Sequence, residues 1–150
     1  MISTTLPRPN ATIAVGDTIF DNARPLALIA GPCALAGAVL VAENPTDLHI
    51  FLSAFTGVRE LRATSSGVSA PTPRGSVEVM DPAAFKIHFG VAPLDISKGA
   101  RLAAIRFVVR DIAALEAALV AGGITSVPHA GAIVIPAEGA LGANLVFGSG

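Results

Sequence analysis

Leu102-Ala103-Ala104-Ile105-Arg106-Phe107-Val108-Val109-Arg110-Asp111 decides the fold, because an earlier stretch has the same pattern: Leu35-Ala36-Gly37-Ala38-Val39-Leu40-Val41-Ala42-Glu43-Asn44. Each is an apolar run that reads as a buried strand and ends on an acidic or amide residue. Each then passes into an Ala/Leu-rich helical pattern that stops at glycine, Gly57 in the first copy and Gly122 in the second. A duplicated strand-helix unit proposes a fold and places a site. It does not supply a reaction.

The second copy is the clearer one. Leu102 to Val109 reads as a strand, and Asp111 caps a helix from Ile112 to Ala121 whose buried stripe is Ile112, Leu115, Ala118 and Leu119. Gly122-Gly123 ends it. Ile124 to Val127 and Ala132 to Ile135 then flank Pro128-His129-Ala130-Gly131 as a hairpin with a four-residue loop, and Leu145-Val146-Phe147 closes the unit.

In the first copy, Leu35 to Ala42 is the strand. Asn44 is a candidate cap with Pro45 at the first helical position, where no amide bond is lost. Leu48, Phe51, Leu52 and Phe55 follow at helical spacing, a stripe expected to pack on a sheet. Arg59 to Ser65 and Val68 to Ala70 read as strands, and Pro71 and Pro73 are expected to interrupt pairing. In Ser76 to Met80, Val77 and Val79 fall on one face and Ser76, Glu78 and Met80 on the other. Asp81-Pro82 opens a short helix through Phe89, and Gly90 ends it. Each copy is thus a βαβββ module.

Ahead of the modules, residues 1 to 10 lack periodicity and read as a loose arm. Thr12 to Val15 and Thr18 to Phe20 flank Gly16-Asp17, a hairpin signal, and Pro25 to Ala30 is consistent with a buried strand. The expected organisation is an arm and hairpin over 1–34 and a domain over 35–150. Within the domain, module one is 35–90, a linker 91–100 and module two 101–150.

Composition excludes several functions. A net charge of -1, 14% charged residues and the absence of Trp and Tyr leave no electrostatic or stacking footprint for nucleic acid. Cys33 is alone, so no internal disulfide forms, and a reducing, cytoplasmic location is expected. The mean hydropathy is +0.66, and no residue from Pro25 to Ala42 is charged. That run holds more Ala and Gly than Leu and Ile and is interrupted by Gly31-Pro32, so strands are expected there rather than a membrane span.

The paired modules resemble the vicinal oxygen chelate superfamily, the fold of glyoxalase and the extradiol dioxygenases. Besides the two quoted strands, the resemblance is carried by Ala140-Leu141-Gly142-Ala143-Asn144-Leu145-Val146-Phe147. Phe51 to Glu60 and Thr72 to Phe85 are similar to the group known as glyoxalase-like domains. The resemblance covers about residues 35 to 148 and implies an α+β fold, with two βαβββ modules forming a curved mixed sheet around a cleft.

It also implies a divalent metal held by His or Glu from the first and last strands of each module, acting as a Lewis acid on vicinal oxygens. Carried onto this chain, those positions fall near Gly37, Ala104, Glu78 and Val146, and only Glu78 can bind a metal. The ordinary alternative for Glu78 is a strand residue facing solvent or pairing with Arg62. His49, His88 and His129 read as surface residues. Arg62 and Arg106 lie on strands and are candidates to hold an anionic substrate.

A second resemblance covers the first 34 residues or so. Ile13 to Phe20 and Arg24 to Cys33, ending Ile29-Ala30-Gly31-Pro32-Cys33, look like the start of deoxy-octulosonate phosphate synthase, a TIM-barrel enzyme. Such a barrel needs about 250 residues, so its chemistry is not expected in a chain of 150.

The reading is therefore a glyoxalase-like protein with an incomplete metal site, binding a small molecule in the sheet cleft. No cofactor is expected. The first alternative is a divalent-metal-dependent lyase or dioxygenase using Glu78 and a histidine, and the weaker one a truncated, inactive relative of the barrel enzyme. A homodimer through exposed sheet edges is a further expectation. Nucleic acid and membrane are not expected partners.

Overall fold

The computed structural model describes residues 13–15, 18–20, 33–140 and 142–150. The chain divides into two units, residues 1–31 and 32–150. In the first, β1 (Ile13–Val15) and β2 (Thr18–Phe20) pair antiparallel, with Val15 opposite Thr18. The two runs expected to pair do so, while the Gly16-Asp17 turn and the strand expected over Pro25 to Ala30 lie outside the described residues.

The second unit is a single mixed sheet. Its strands are β3 (Cys33–Val41), β4 (Arg62–Thr64), β5 (Gly67–Thr72), β6 (Gly75–Met80), β7 (Arg101–Val109), β8 (Val127–His129), β9 (Ala132–Ile135) and β10 (Asn144–Ser149). Its helices are α1 (His49–Thr56), α2 (Pro82–Phe89) and α3 (Ile112–Ala121). The strands lie in the order β4-β5-β6-β3-β7-β10-β9-β8, the curved eight-stranded arrangement of two βαβββ modules.

The duplication is visible in the pairing. β3 and β6 run parallel, as do β7 and β10, and the modules join where β3 and β7 run antiparallel. At that seam Ala38 faces Ile105, Gly37 faces Arg106 and Val39 faces Ala104. A local two-fold relation therefore exchanges Gly37 with Ala104 and Val39 with Arg106, the correspondence set by the repeated stretches.

Strand alternation sends side chains to two faces. On one face, Val39, Val41, Met80, Val134 and Val146 pack with Phe85 and Phe89 of α2. On the other, Leu52 of α1 covers Val68, Ala70 and Val79, and Leu119 of α3 covers Ile133 and Ile135. Full burial of Leu52 and Phe85 contributes about 1.5–3 kcal/mol for each side chain. The face carrying α2 is only partly covered, and it also bears Ser76 and Glu78.

Helix starts follow the expected capping at two of three sites. Asp81 Oδ1 accepts from the Ala84 amide at 2.7 Å, and Asp111 Oδ1 from the Ala114 amide at 2.9 Å. Asn44 makes no such bond: Pro45–Leu48 forms a 3-10 turn before α1 begins at His49. That turn shifts the α1 stripe. Leu52 is buried, while Phe51 and Phe55 are exposed and stack on each other with ring centroids 5.6 Å apart. In α3, Leu119 is buried and Ile112 and Leu115 half-buried, while Ala118 is exposed.

Two strand expectations are corrected. Pro71 does not interrupt β5 but sits in it, opposite Ser76. β4 pairs only with Gly67 to Ser69, so Pro71 lies past the end of that partner, where a missing amide hydrogen costs no ladder bond. The last hairpin turns on Ala130-Gly131 alone, both at positive φ, a two-residue primed turn matching the strand twist. His129 is consequently a strand residue opposite Ala132, not part of a loop.

Candidate functional site

The partly covered face concentrates the chain's polar strand residues. Glu78 on β6 accepts from Ser76 Oγ at 2.7 Å and from Arg106 Nη1 at 2.5 Å. Sequence reasoning offered Arg62 as its ionic partner; the bonded partner is Arg106. Arg62 faces Ser69, which faces Glu78, so register places Arg62 on the same face but on an exposed edge strand. The Arg106 and Glu78 side chains are 31% and 18% exposed, so solvent reaches the pair.

Two depressions flank this ion pair. One, of about 440 Å³, is lined by Arg106, His88, His129, Ala36, Ala132 and Val146, among others. The other, of about 260 Å³, is lined by Arg62, Ser69, Glu78, Met80 and His88, among others. His88 borders both. Phe85 and Phe89 form the buried stripe of α2, and His88 flanks that stripe, its ring edge-on to Phe89 at 5.0 Å. The sequence signal was this position beside an i, i+4 aromatic pair.

His129 ties the modules together. Its Nε2 lies 2.9 Å from the Ile87 carbonyl, which makes Nε2–H the donor and latches the last hairpin to the end of α2. Gly90, which terminates α2 at φ 70, permits this approach, because a side chain there would run into the His129 ring. His49, by contrast, bonds only locally, to the Thr46 carbonyl at 2.8 Å.

The residues do not fit a divalent metal of the kind the fold accommodates. The strand pairing puts Gly37, Ala104 and Val146 at the positions related to Glu78 by the seam and the repeat, and none offers a donor. Among the described residues no three His, Cys, Asp or Glu side chains cluster, whereas such sites take three or four ligands. Arg106 also holds its positive charge against the only carboxylate of the set, which opposes a second cation there.

No protein-family model and no curated protein matches this chain. Among solved structures it is similar to the hypothetical protein BH1468 from Bacillus halodurans C-125, at TM-score 0.55 and 16% identity over 79% of this chain and 94% of that one. It is also similar to methylmalonyl-CoA epimerase from Mycobacterium tuberculosis, at TM-score 0.52 and 14% identity over 83% and 95%. The fold is the vicinal oxygen chelate, or glyoxalase-like, fold. The comparisons lend no support to the resemblance of the first 34 residues to deoxy-octulosonate phosphate synthase. Among the described residues no helix is long and apolar enough to cross a membrane.

Proposed function

We propose that this protein binds a small organic molecule on the α2 face of its sheet, in the cleft beside Arg106, without a divalent metal. The observation that supports this most directly is the engagement of Glu78. The one carboxylate of the metal-position set already accepts from Arg106 and Ser76, so the cation it pairs with is a guanidinium of the protein itself. Arg106 is then the ligand-facing group. Its bond to Glu78 uses Nη1, and a guanidinium carries further donors suited to a planar anion. Arg62, on the same face by register, lines the neighbouring depression instead.

Elemental analysis of the protein purified without chelators, with an NMR screen of small organic acids and neutral analogues, tests the reading. The expected result is substoichiometric metal and ligand-induced shifts confined to residues around Arg106 and Val146. Stoichiometric Zn, Ni, Mn or Fe that is lost in Glu78→Gln would replace it with the metal-dependent lyase or dioxygenase reading of the same fold.

A further inference from the structure

The larger depression has a one-sided chemistry. Arg106, His88 and His129 border it, the other walls are mostly aliphatic, and none of the described residues lining it is acidic. Its volume of about 440 Å³ is within the range that small organic ligands occupy. Glu78 belongs to the neighbouring depression and meets Arg106 on the ridge between the two. A pair that solvent reaches is held by little net free energy, so a competing anion can exchange with one partner. Arg106 is thus basic, accessible from the aliphatic cavity, and neutralised from behind by a replaceable carboxylate.

Building on the reading of this cleft as the binding site, we propose that its ligand is an organic monocarboxylate with an apolar body, whose carboxylate takes the place of Glu78 on Arg106. Glu78 is then an internal counter-ion that keeps the guanidinium paired until ligand arrives. A guanidinium recognises the two oxygens of a carboxylate directionally, and the apolar body of the ligand lies against Ala36, Ala132 and Val146. The latch from His129 to Ile87 fixes the far wall. This role reverses the expectation for a metal ligand, because removing the Glu78 charge helps binding instead of abolishing it.

The experiment titrates the full chain with 2-naphthoate and, separately, with its neutral isostere 2-naphthamide, following backbone amide shifts by NMR. Naphthoate is expected to shift Arg106, Ala132 and Val146 and to bind about tenfold more tightly than naphthamide, the scale of one charge-assisted hydrogen bond. Glu78→Gln is expected to tighten naphthoate by about threefold or more with naphthamide unchanged, and Arg106→Gln to erase the preference. Equal binding of the two probes to the wild-type chain overturns the carboxylate assignment while leaving the cleft as a binding site. Weaker naphthoate binding in Glu78→Gln overturns the counter-ion role. Failure of both probes to shift the cleft amides overturns the assignment together with the binding-site reading beneath it.

Discussion

The guanidinium of Arg106 on β7 meets the carboxylate of Glu78 on β6 although β3 runs between those strands. Gly37 of β3 is the register partner of Arg106 on one side and of Ser76 on the other, and Val39 is that of Glu78, so the pair crosses β3 diagonally. The pair thereby stitches module two to module one across the seam. Because both groups are partly exposed, a double-mutant cycle with Glu78→Gln and Arg106→Gln is expected to give a coupling of about 1 kcal/mol. Urea denaturation should show that coupling shrinking between low salt and 1 M salt. A coupling indistinguishable from zero at low salt would mean that the pair does not hold the modules together.

Asp95 lies in the segment between the modules, where the Ser97 amide donates to Oδ1 and the Ser97 hydroxyl to Oδ2, each at 2.9 Å. The backbone amide of Ser97 and then its hydroxyl hold the carboxyl below its ordinary value of 3.8, with desolvation opposing them and the charge of Arg101 adding a smaller lowering effect. A carboxyl depressed on folding stabilises the native state above its unfolded pKa, and that contribution is lost as pH falls through the lower, folded value. A carbon-detected NMR titration is therefore expected to find Asp95 titrating below 3.8. Ser97→Ala should raise it only partway, since the amide remains, and Ser97→Pro should raise it further. An unmoved titration in both variants would remove Ser97 as the cause.

Asn144 is 2% exposed, and both ends of its amide are used. Nδ2 donates to the Ala103 carbonyl at 2.8 Å, and Oδ1 accepts from the Ala137 amide at 3.0 Å. Replacement by Leu strands a carbonyl and an amide in the interior, an expected loss of about 2–4 kcal/mol. Asn144→Asp is more discriminating: one oxygen still accepts from Ala137, but the other faces the Ala103 carbonyl as an anion. That variant should be markedly weak at pH 7 and should recover in acid, where the protonated carboxyl can donate to Ala103. A stability of Asn144→Asp that falls in parallel with wild type on acidification would contradict the bond to Ala103.

The duplication was legible because pattern and register are the same physics. Leu35 to Asn44 and Leu102 to Asp111 share an alternation, and the sheet pairs them so that the repeat falls on the seam. The acidic caps at Asp81 and Asp111 and the two faces of Ser76 to Met80 were equally readable, since each depends on neighbours within a few residues. What escaped the sequence needed strand order. The partners Arg106 and Glu78 are 28 residues apart and meet across β3, the one strand between theirs. Pro71 looked like a breaker because its tolerance depends on how short the neighbouring β4 is. His88 and His129 looked peripheral, and it is the path of α2 and the tight turn at Ala130-Gly131 that bring both to one cavity.

Gly37 also resists replacement by a metal-binding side chain. Ala36 is passed over in the pairing of β3 with β7, a bulge between Leu35 and Gly37, and the backbone that results aims the missing Cβ of Gly37 into the main-chain carbonyl of Ser76. That carbonyl belongs to a strand paired in parallel with β3 and cannot swing aside as a side-chain tip would. Gly37→Ala is therefore expected to lose about 1–3 kcal/mol, the usual cost of forcing an atom into packed structure. Gly37→His, which would place an imidazole near the position where the sequence resemblance implies a metal ligand, should lose at least as much. It should still bind zinc no better than wild type, because the imidazole cannot enter without unpairing β3 from β6. Urea denaturation of both variants, with zinc binding followed by calorimetry, checks this. A Gly37→His protein of wild-type stability would show that the bulge relaxes, and stoichiometric zinc uptake by it would show that Glu78 and one added imidazole suffice to hold a metal there.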